Sequence, residues 1–203
     1  MYVHFEGLDL AGKSTICRLF REQAGGEWAI HHNALLADNP ICALADRLRR
    51  EGGGEESVGW LYHAALLFDL ERFAPTTGNV LQDSTILLRS LAYHKVRGTA
   101  GLVERLETLL GRHPRFDRSF VLVADHTTRL HRLGIRRPQN LSPEDFLVRD
   151  EPARFYAMER VLVEYATSHF GATVLDTSGT LDANRLEPVF HQLPGPRPDQ
   201  AGD

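Results

Sequence analysis

The stretch Phe5-Glu6-Gly7-Leu8-Asp9-Leu10-Ala11-Gly12-Lys13-Ser14-Thr15 decides how the chain is read. Gly7, Gly12, Lys13 and Ser14 fit the spacing G-x-x-x-x-G-K-[ST]. The apolar alternation Tyr2-Val3-His4-Phe5 precedes it and a helix-like run follows, so the pattern has the strand, loop and helix setting that gives it physical meaning. Glycines let such a loop turn its backbone N–H groups inward, and the following helix adds free amides and the positive end of its dipole. Gly7, Leu10, Ala11, Gly12, Lys13, Ser14 and Thr15 are therefore a candidate phosphate cradle, a Walker A or P-loop. In it Lys13 reaches the outer phosphates of a nucleotide such as ATP, and the Ser14 hydroxyl ligates its Mg²⁺. Of the 23 lysines and arginines only Lys13 and Lys95 are lysines, so a lysine here departs from the chain's habit of using arginine.

Outward from this loop the chain alternates strands and helices. Residues 1–6 read as a buried strand and Lys13 to Gln23 as the helix after the loop, stopped by Gly25-Gly26. Trp28 to His32 reads as a second strand, and Pro40 opens a helix that runs to Arg50. A flexible Glu51-Gly-Gly-Gly-Glu-Glu break follows, with Ser57 as candidate N-cap for a helix over 58–73. Asn79 to Asp83 is a third strand ending on a carboxylate. Helical patterns cover 86–96 and 102–110, and Phe120 to Ala124 is the clearest buried strand. A short helix at 127–133 leads into an arginine-rich, proline-broken loop at 134–143, expected to be mobile. A long helical pattern spans 146–170, a last strand 172–176 and a terminal helix 181–192. A Pro/Gly tail at 194–203 is expected to be disordered.

This alternation predicts one α/β domain over residues 1–193. It is a three-layer fold with a five-stranded, mostly parallel sheet and helices on both faces, and ligands bind beyond the C-terminal ends of the strands. At 203 residues the chain can bury a full core. A net charge of −4 argues against a general nucleic-acid binder. Cys17 and Cys42 form neither a disulfide framework nor a metal-ligand spacing. No apolar run approaches a membrane span, and the first residues read as a strand rather than a leader, so the expectation is a cytoplasmic protein. No Asn-Lys-x-Asp segment is present to read guanine, which counts against a GTPase switch.

The loop, Phe5-Glu-Gly-Leu-Asp-Leu-Ala-Gly-Lys-Ser-Thr15, resembles that of thymidylate kinases, typically F-E-G-x-D-G-A-G-K-S-T. Leu66-Leu-Phe-Asp-Leu-Glu-Arg72 is similar to that family's L-L-F-A-A-D-R helix, and Ser90-Leu-Ala-Tyr-His94 to its S-x-x-A-Y-Q segment. Leu130-His-Arg-Leu-Gly-Ile-Arg136 resembles the start of its arginine-bearing lid. The pieces occur in family order over nearly the whole chain.

The resemblance implies an ATP- and Mg²⁺-dependent phosphotransferase acting on a nucleotide such as dTMP, in a homodimer. Phe68 then stacks on the acceptor base, Arg72 bonds its edge, Tyr93 crowds the sugar 2′ position and Asp9 approaches a sugar hydroxyl. Arg132 and Arg136 close over the transferring group, Arg137 is a further candidate there, and Asp83 joins Ser14 on the metal. Read from the residues alone, alternatives stand beside these roles. Phe68 and Tyr93 fit plain core, Arg72 and the arginine pair fit exposed faces, and Asp9 fits a local turn bond.

Two departures matter. The region after the second strand reads His31-His-Asn-Ala-Leu-Leu-Ala37, where the family has an arginine on the acceptor phosphate. After the third strand Asp83-Ser-Thr85 replaces Asp-Arg-Tyr. Losing charge-assisted bonds worth roughly 1.5–3 kcal/mol each calls for a substitute, or for a different acceptor. Arg89 is the candidate substitute, and Asn33, with His31 and His32, a candidate acceptor contact. The alternative functions are a kinase for a modified nucleoside or other small metabolite, and a nucleotide-binding protein without transfer activity.

Overall fold

The computed structural model describes residues 1–24, 26–75, 77–137 and 141–181. Five strands, β1 (Tyr2–Glu6), β2 (Trp28–His32), β3 (Asn79–Asp83), β4 (Arg118–Val123) and β5 (Thr173–Asp176), form one sheet in the order β2-β3-β1-β4-β5, and every pairing is parallel. Central β1 is buried along its whole length. Its alternation sorts the layers. Val3 and Phe5 face α1 (Lys13–Gln23), where Ile16, Phe20, Phe120 and Leu122 complete one core. His4 and Glu6 face the opposite layer, toward α4 (Ile86–Arg97), whose Leu87, Leu88 and Leu91 belong to the larger core with Phe155 and Leu162.

That second layer holds α5 (Ala100–Leu109) and α8 (Pro152–Phe170), with α2 (Pro40–Arg50) and α3 (Glu55–Arg72) packed on each other beside it and α6 (His126–Ile135) following β4. Asn39 caps α2 by accepting from the Ile41 and Cys42 amides at 3.0 and 2.9 Å, ahead of Pro40 in the first turn. The single-domain P-loop α/β architecture expected from the pattern is the one observed.

Three boundaries differ from the sequence expectation. α3 starts at Glu55 with Gly54 at its N-cap, which puts Ser57 inside the first turn; Glu55 and Glu56 suit the positive end of the helix. The long pattern at 146–170 is broken into a 3₁₀ turn (Pro143–Phe146), the short α7 (Leu147–Asp150) and α8. Pro152 forces the break, since Glu151 before it takes an extended φ of −136° and leaves the helical region. α6 runs through Gly134 to Ile135, so the loop begins later than expected. The terminal helix and the tail fall on residues beyond 181, outside those described. Among the described residues no helix is long and apolar enough to cross a membrane.

Candidate functional site

Three segments meet at the C-terminal edge of the sheet: the loop after β1, the end of β2 and the β3–α4 turn. Register sets them level, with Phe5 opposite Asp83 and His32 opposite Asp83. Among the described residues the three non-glycine residues with left-handed φ all lie here, Leu10 at 63°, Asn33 at 57° and Ser84 at 69°. Such conformations persist only where surroundings enforce them. Glu6 supplies much of that enforcement. Fully buried, its carboxylate accepts from the Gly7 amide at 3.0 Å, the Ser84 hydroxyl at 2.5 Å and the Thr85 amide at 2.9 Å, tying the loop to the β3–α4 turn. Burial alone would raise its pKa, but His4, the Ser84 hydroxyl and the Lys13 charge hold it at about 2.

In the loop, Gly12 precedes α1 with φ 91° and no side chain caps the helix, so the first amides of α1 face the loop's concavity. The buried Lys13 ammonium donates to the Gly7 and Leu8 carbonyls at 2.6 and 3.1 Å. Burial and the neighbouring Arg89 charge lower its pKa, against the pull of Asp9, Asp83 and Glu6. The Ser14 hydroxyl donates to Asp83 Oδ2 at 3.1 Å, and His32 Nδ1 lies 3.2 Å from the same oxygen. Burial works against the ionised Asp83, yet His32 and Lys13 hold its pKa below the ordinary range, and the same hydrogen bond raises that of His32. A serine oxygen beside an ionised carboxylate is a donor set that fits a hard divalent cation completed by phosphate and water. Among the described residues no group of three histidine, cysteine or acidic side chains could hold a metal ion alone.

Two cavities open from this edge. One, of about 430 Å³, follows the loop and takes in Gly12, Lys13, Ser14, Asp83, Arg132 and Arg136. The other, of about 400 Å³, lies between α3, α4 and α8 and takes in Leu8, Val58, Tyr62, Tyr93 and Met158. Asp9, Asn33 and Arg89 line both and form the wall between them. Arg89 donates to both Asp9 oxygens at 3.1 and 3.0 Å. Burial would raise the Asp9 pKa, but Arg89 and Lys13 hold it at about 2, and the Asp9 charge raises that of Arg89.

Arg132 lies along the loop, donating to the Leu10 carbonyl at 2.9 Å and the Thr177 carbonyl at 2.5 Å. Arg136 pairs with Asp145 at 2.6 Å, which ties the end of α6 to the 3₁₀ turn before α7. Arg137 is described but lines neither cavity.

Phe68 and Arg72 lie away from the second cavity. The structure stacks them on each other, with the guanidinium carbon 4.5 Å from the ring centre, and neither lines the cavity. α3 presents Glu55, Val58, Gly59 and Tyr62 there instead, and the six residues from Tyr62 to Phe68 carry the helix roughly 9 Å further from the site.

Several residues that sequence reasoning passed over occupy the site. Arg129, fully buried, donates from its Nη1 to the Asp9 carbonyl at 2.7 Å, pairs with Glu159 and lies over the Phe155 ring. The available signal was its helical phase, since Arg129 and Leu133 sit four apart as the two buried residues of α6. Glu6, Arg49, Tyr62, His94 and Glu144 gave no local signal.

No family model matches the chain, and no curated protein matches its sequence. Solved structures do match its fold. Deoxyadenosine kinase from M. mycoides with bound dATP superposes with a TM-score of 0.59 and 19% identity, over 94% of this chain and 98% of that one. The same enzyme with dCMP and dCDP bound gives 0.60 at 18% identity, over 94% and 97%. Thymidylate kinase from Candida albicans gives 0.65 at 15% identity, over 94% and 87%. The chain has the fold of the P-loop nucleoside and nucleotide kinases.

Proposed function

We propose that the protein is a Mg²⁺- and ATP-dependent kinase that transfers the γ-phosphoryl group to a nucleoside-like or nucleotide acceptor, dTMP being the acceptor its sequence resemblance implies. The observation that carries this reading is the pair of cavities that share Asp9, Asn33 and Arg89 in their lining, with a phosphate loop on one side and a mostly apolar, nucleoside-sized chamber on the other.

Phosphoryl transfer asks mainly for positioning and electrostatic clamping, and each part has a residue here. The first amides of α1 and Lys13 receive the polyphosphate. Ser14 and Asp83 hold the metal ion, which when bound neutralises charge on the phosphoryl oxygens. Arg89, at the wall, is placed to meet the group in transit, with Asp9 holding it in line. Arg132 pins the strained Leu10, and Arg136 reaches the donor cavity from the α6 end.

The test is acceptor-dependent ADP release, followed by mass spectrometry of the product, across nucleosides and nucleoside monophosphates. Lys13→Ala should lower turnover by at least about 100-fold, the scale of losing a phosphate clamp. Tight ATP binding with no transfer to any acceptor would instead favour a nucleotide-binding protein without kinase activity.

A further inference from the structure

Arg129 is the largest fully buried side chain among the described residues, and its guanidinium is held on three sides. Its Nε donates to the Ala124 carbonyl at 3.0 Å just past the end of β4, its Nη2 pairs with Glu159 on α8, and its plane lies over the Phe155 ring, 4.8 Å from the centre. The remaining edge, Nη1, donates to the Asp9 carbonyl at 2.7 Å. As a prop for the fold alone this is a poor choice. Burial lowers the guanidinium pKa against the pull of Glu159, and a buried ion pair is often replaceable by apolar side chains without loss of stability. What an apolar pair could not do is hold a backbone carbonyl, which takes a donor fixed in direction.

The carbonyl it holds belongs to the peptide between Asp9 and Leu10, at the strained corner of the loop. That peptide is trans, so its C=O and N–H point in opposite directions and holding one aims the other. Leu10 takes a left-handed φ of 63° and lines the donor cavity, and no described residue accepts a hydrogen bond from its N–H. The next carbonyl, that of Leu10, is taken by Arg132 at 2.9 Å, about one helical turn along α6. Two successive peptides of the loop are thus set from the same face of one helix. The Arg129 bond also fixes the backbone of Asp9, whose carboxylate accepts from Arg89 at 3.1 and 3.0 Å in the wall shared by the cavities.

We propose that Arg129 is a positioning residue for phosphoryl transfer: it sets the Asp9–Leu10 peptide so that the Leu10 N–H serves the nucleotide's polyphosphate and Asp9 holds Arg89 in line with the group in transit. This deepens the kinase reading above and rests on it. Arg129 lines neither cavity and acts through the loop alone. Its loss therefore falls on nucleotide affinity and on kcat, while the acceptor keeps its pocket. A merely structural Arg129 would give a different pattern. Phe155 beneath it and Met158 beside Glu159 line the acceptor cavity and would slacken with it, raising the acceptor KM.

The experiment uses the paired variant Arg129→Met with Glu159→Met, which removes both charges together and leaves no buried ion without a partner. Kinetics are measured with the most active of thymidine, deoxyadenosine, dTMP and dAMP. Relative to wild type, kcat should fall by about tenfold or more and ATP affinity by about threefold or more, the scale of a lost charge-assisted contact, with acceptor KM within about threefold. A second readout needs no variant. In protein carrying isotope-labelled leucine and lysine, the Leu10 amide resonance should move downfield when Mg²⁺–ADP is added, and the paired variant should lose that movement. Kinetics like those of wild type, or an acceptor KM raised as much as kcat is lowered, would overturn the positioning role and leave the kinase reading standing. So would a wild-type Leu10 amide that ignores Mg²⁺–ADP while the Lys13 amide responds, and this result decides the matter if the paired variant does not fold. No ADP release with any of the four compounds, and no response of either amide, would count against both.

Discussion

Glu6 does no phosphate binding itself, yet it shapes the place where phosphate binds. A buried carboxylate is costly unless fully bonded, and the amides and hydroxyls of Gly7, Ser84 and Thr85 supply those bonds. The energetics make a pH prediction. Glu6 and Asp9 have native pKa values of about 2 against ordinary values of 4.5 and 3.8. A carboxylate depressed in the folded state stabilises it above the unfolded pKa and loses that contribution as pH falls toward the folded value.

His113, which burial pushes down to about 4 from 6.5, begins an earlier loss, because the unfolded chain takes up its proton first. Stability from urea unfolding should therefore decline gently below about pH 6.5 and steeply from about pH 5 to 2. Glu6→Gln should cost a few kcal/mol at pH 7 and flatten the steep limb. An acid limb of unchanged slope would show that Glu6 does not carry it. At this scale the sequence pointed to Lys13 and Ser14 through the local loop pattern, and to Asp9 and Asp83 through the family resemblance, and the structure brings all four to the same edge of the sheet. Glu6 was hidden, since its partners lie nearly 80 positions away.

α3 shows what periodicity can and cannot disclose. Its apolar residues announced a helix, and the motif Leu66 to Arg72 suggested which part faces a ligand. The choice of face and depth depends on where α3 crosses α4 and α5, which no local pattern records. The observed crossing puts Gly59 against His94 and Leu102, at 2.6 and 2.8 Å from where a Cβ would stand. Gly59→Val should therefore destabilise the protein by about 1–3 kcal/mol, the cost of overpacking a tight contact, seen as a lower unfolding midpoint. It should also raise the acceptor KM while leaving ATP affinity alone. Equal losses for donor and acceptor would mean that α3 does not border the acceptor cavity separately. The strands were legible for a simpler reason: β4 is buried on both faces and reads as an apolar run, β1 reads as an apolar alternation, and Pro40 marks a helix start by removing an N–H that needs no partner there, whereas Pro152 lay unread inside the long pattern at 146–170.

Across the whole molecule, a parallel sheet brings the ends of β1, β2 and β3 to one edge, and that topology was readable from the alternation of strands and helices. The division of the edge into two chambers was not readable. It arises from one ion pair, Asp9 with Arg89, and from Arg129 reaching across from α6 to the Asp9 carbonyl.

The account's central claim is that this edge grips a nucleotide's polyphosphate through the loop amides, Lys13 and a Ser14–Asp83 metal site. Isothermal titration of ATP, with and without Mg²⁺, into wild type, Lys13→Ala and Asp83→Asn tests it most directly. Wild type should bind ATP in a Mg²⁺-dependent way, Lys13→Ala should weaken binding by at least about 30-fold, equivalent to roughly 2 kcal/mol, and Asp83→Asn should abolish most of the Mg²⁺ dependence. Equal ATP affinity in all three proteins, with or without the metal, would contradict it.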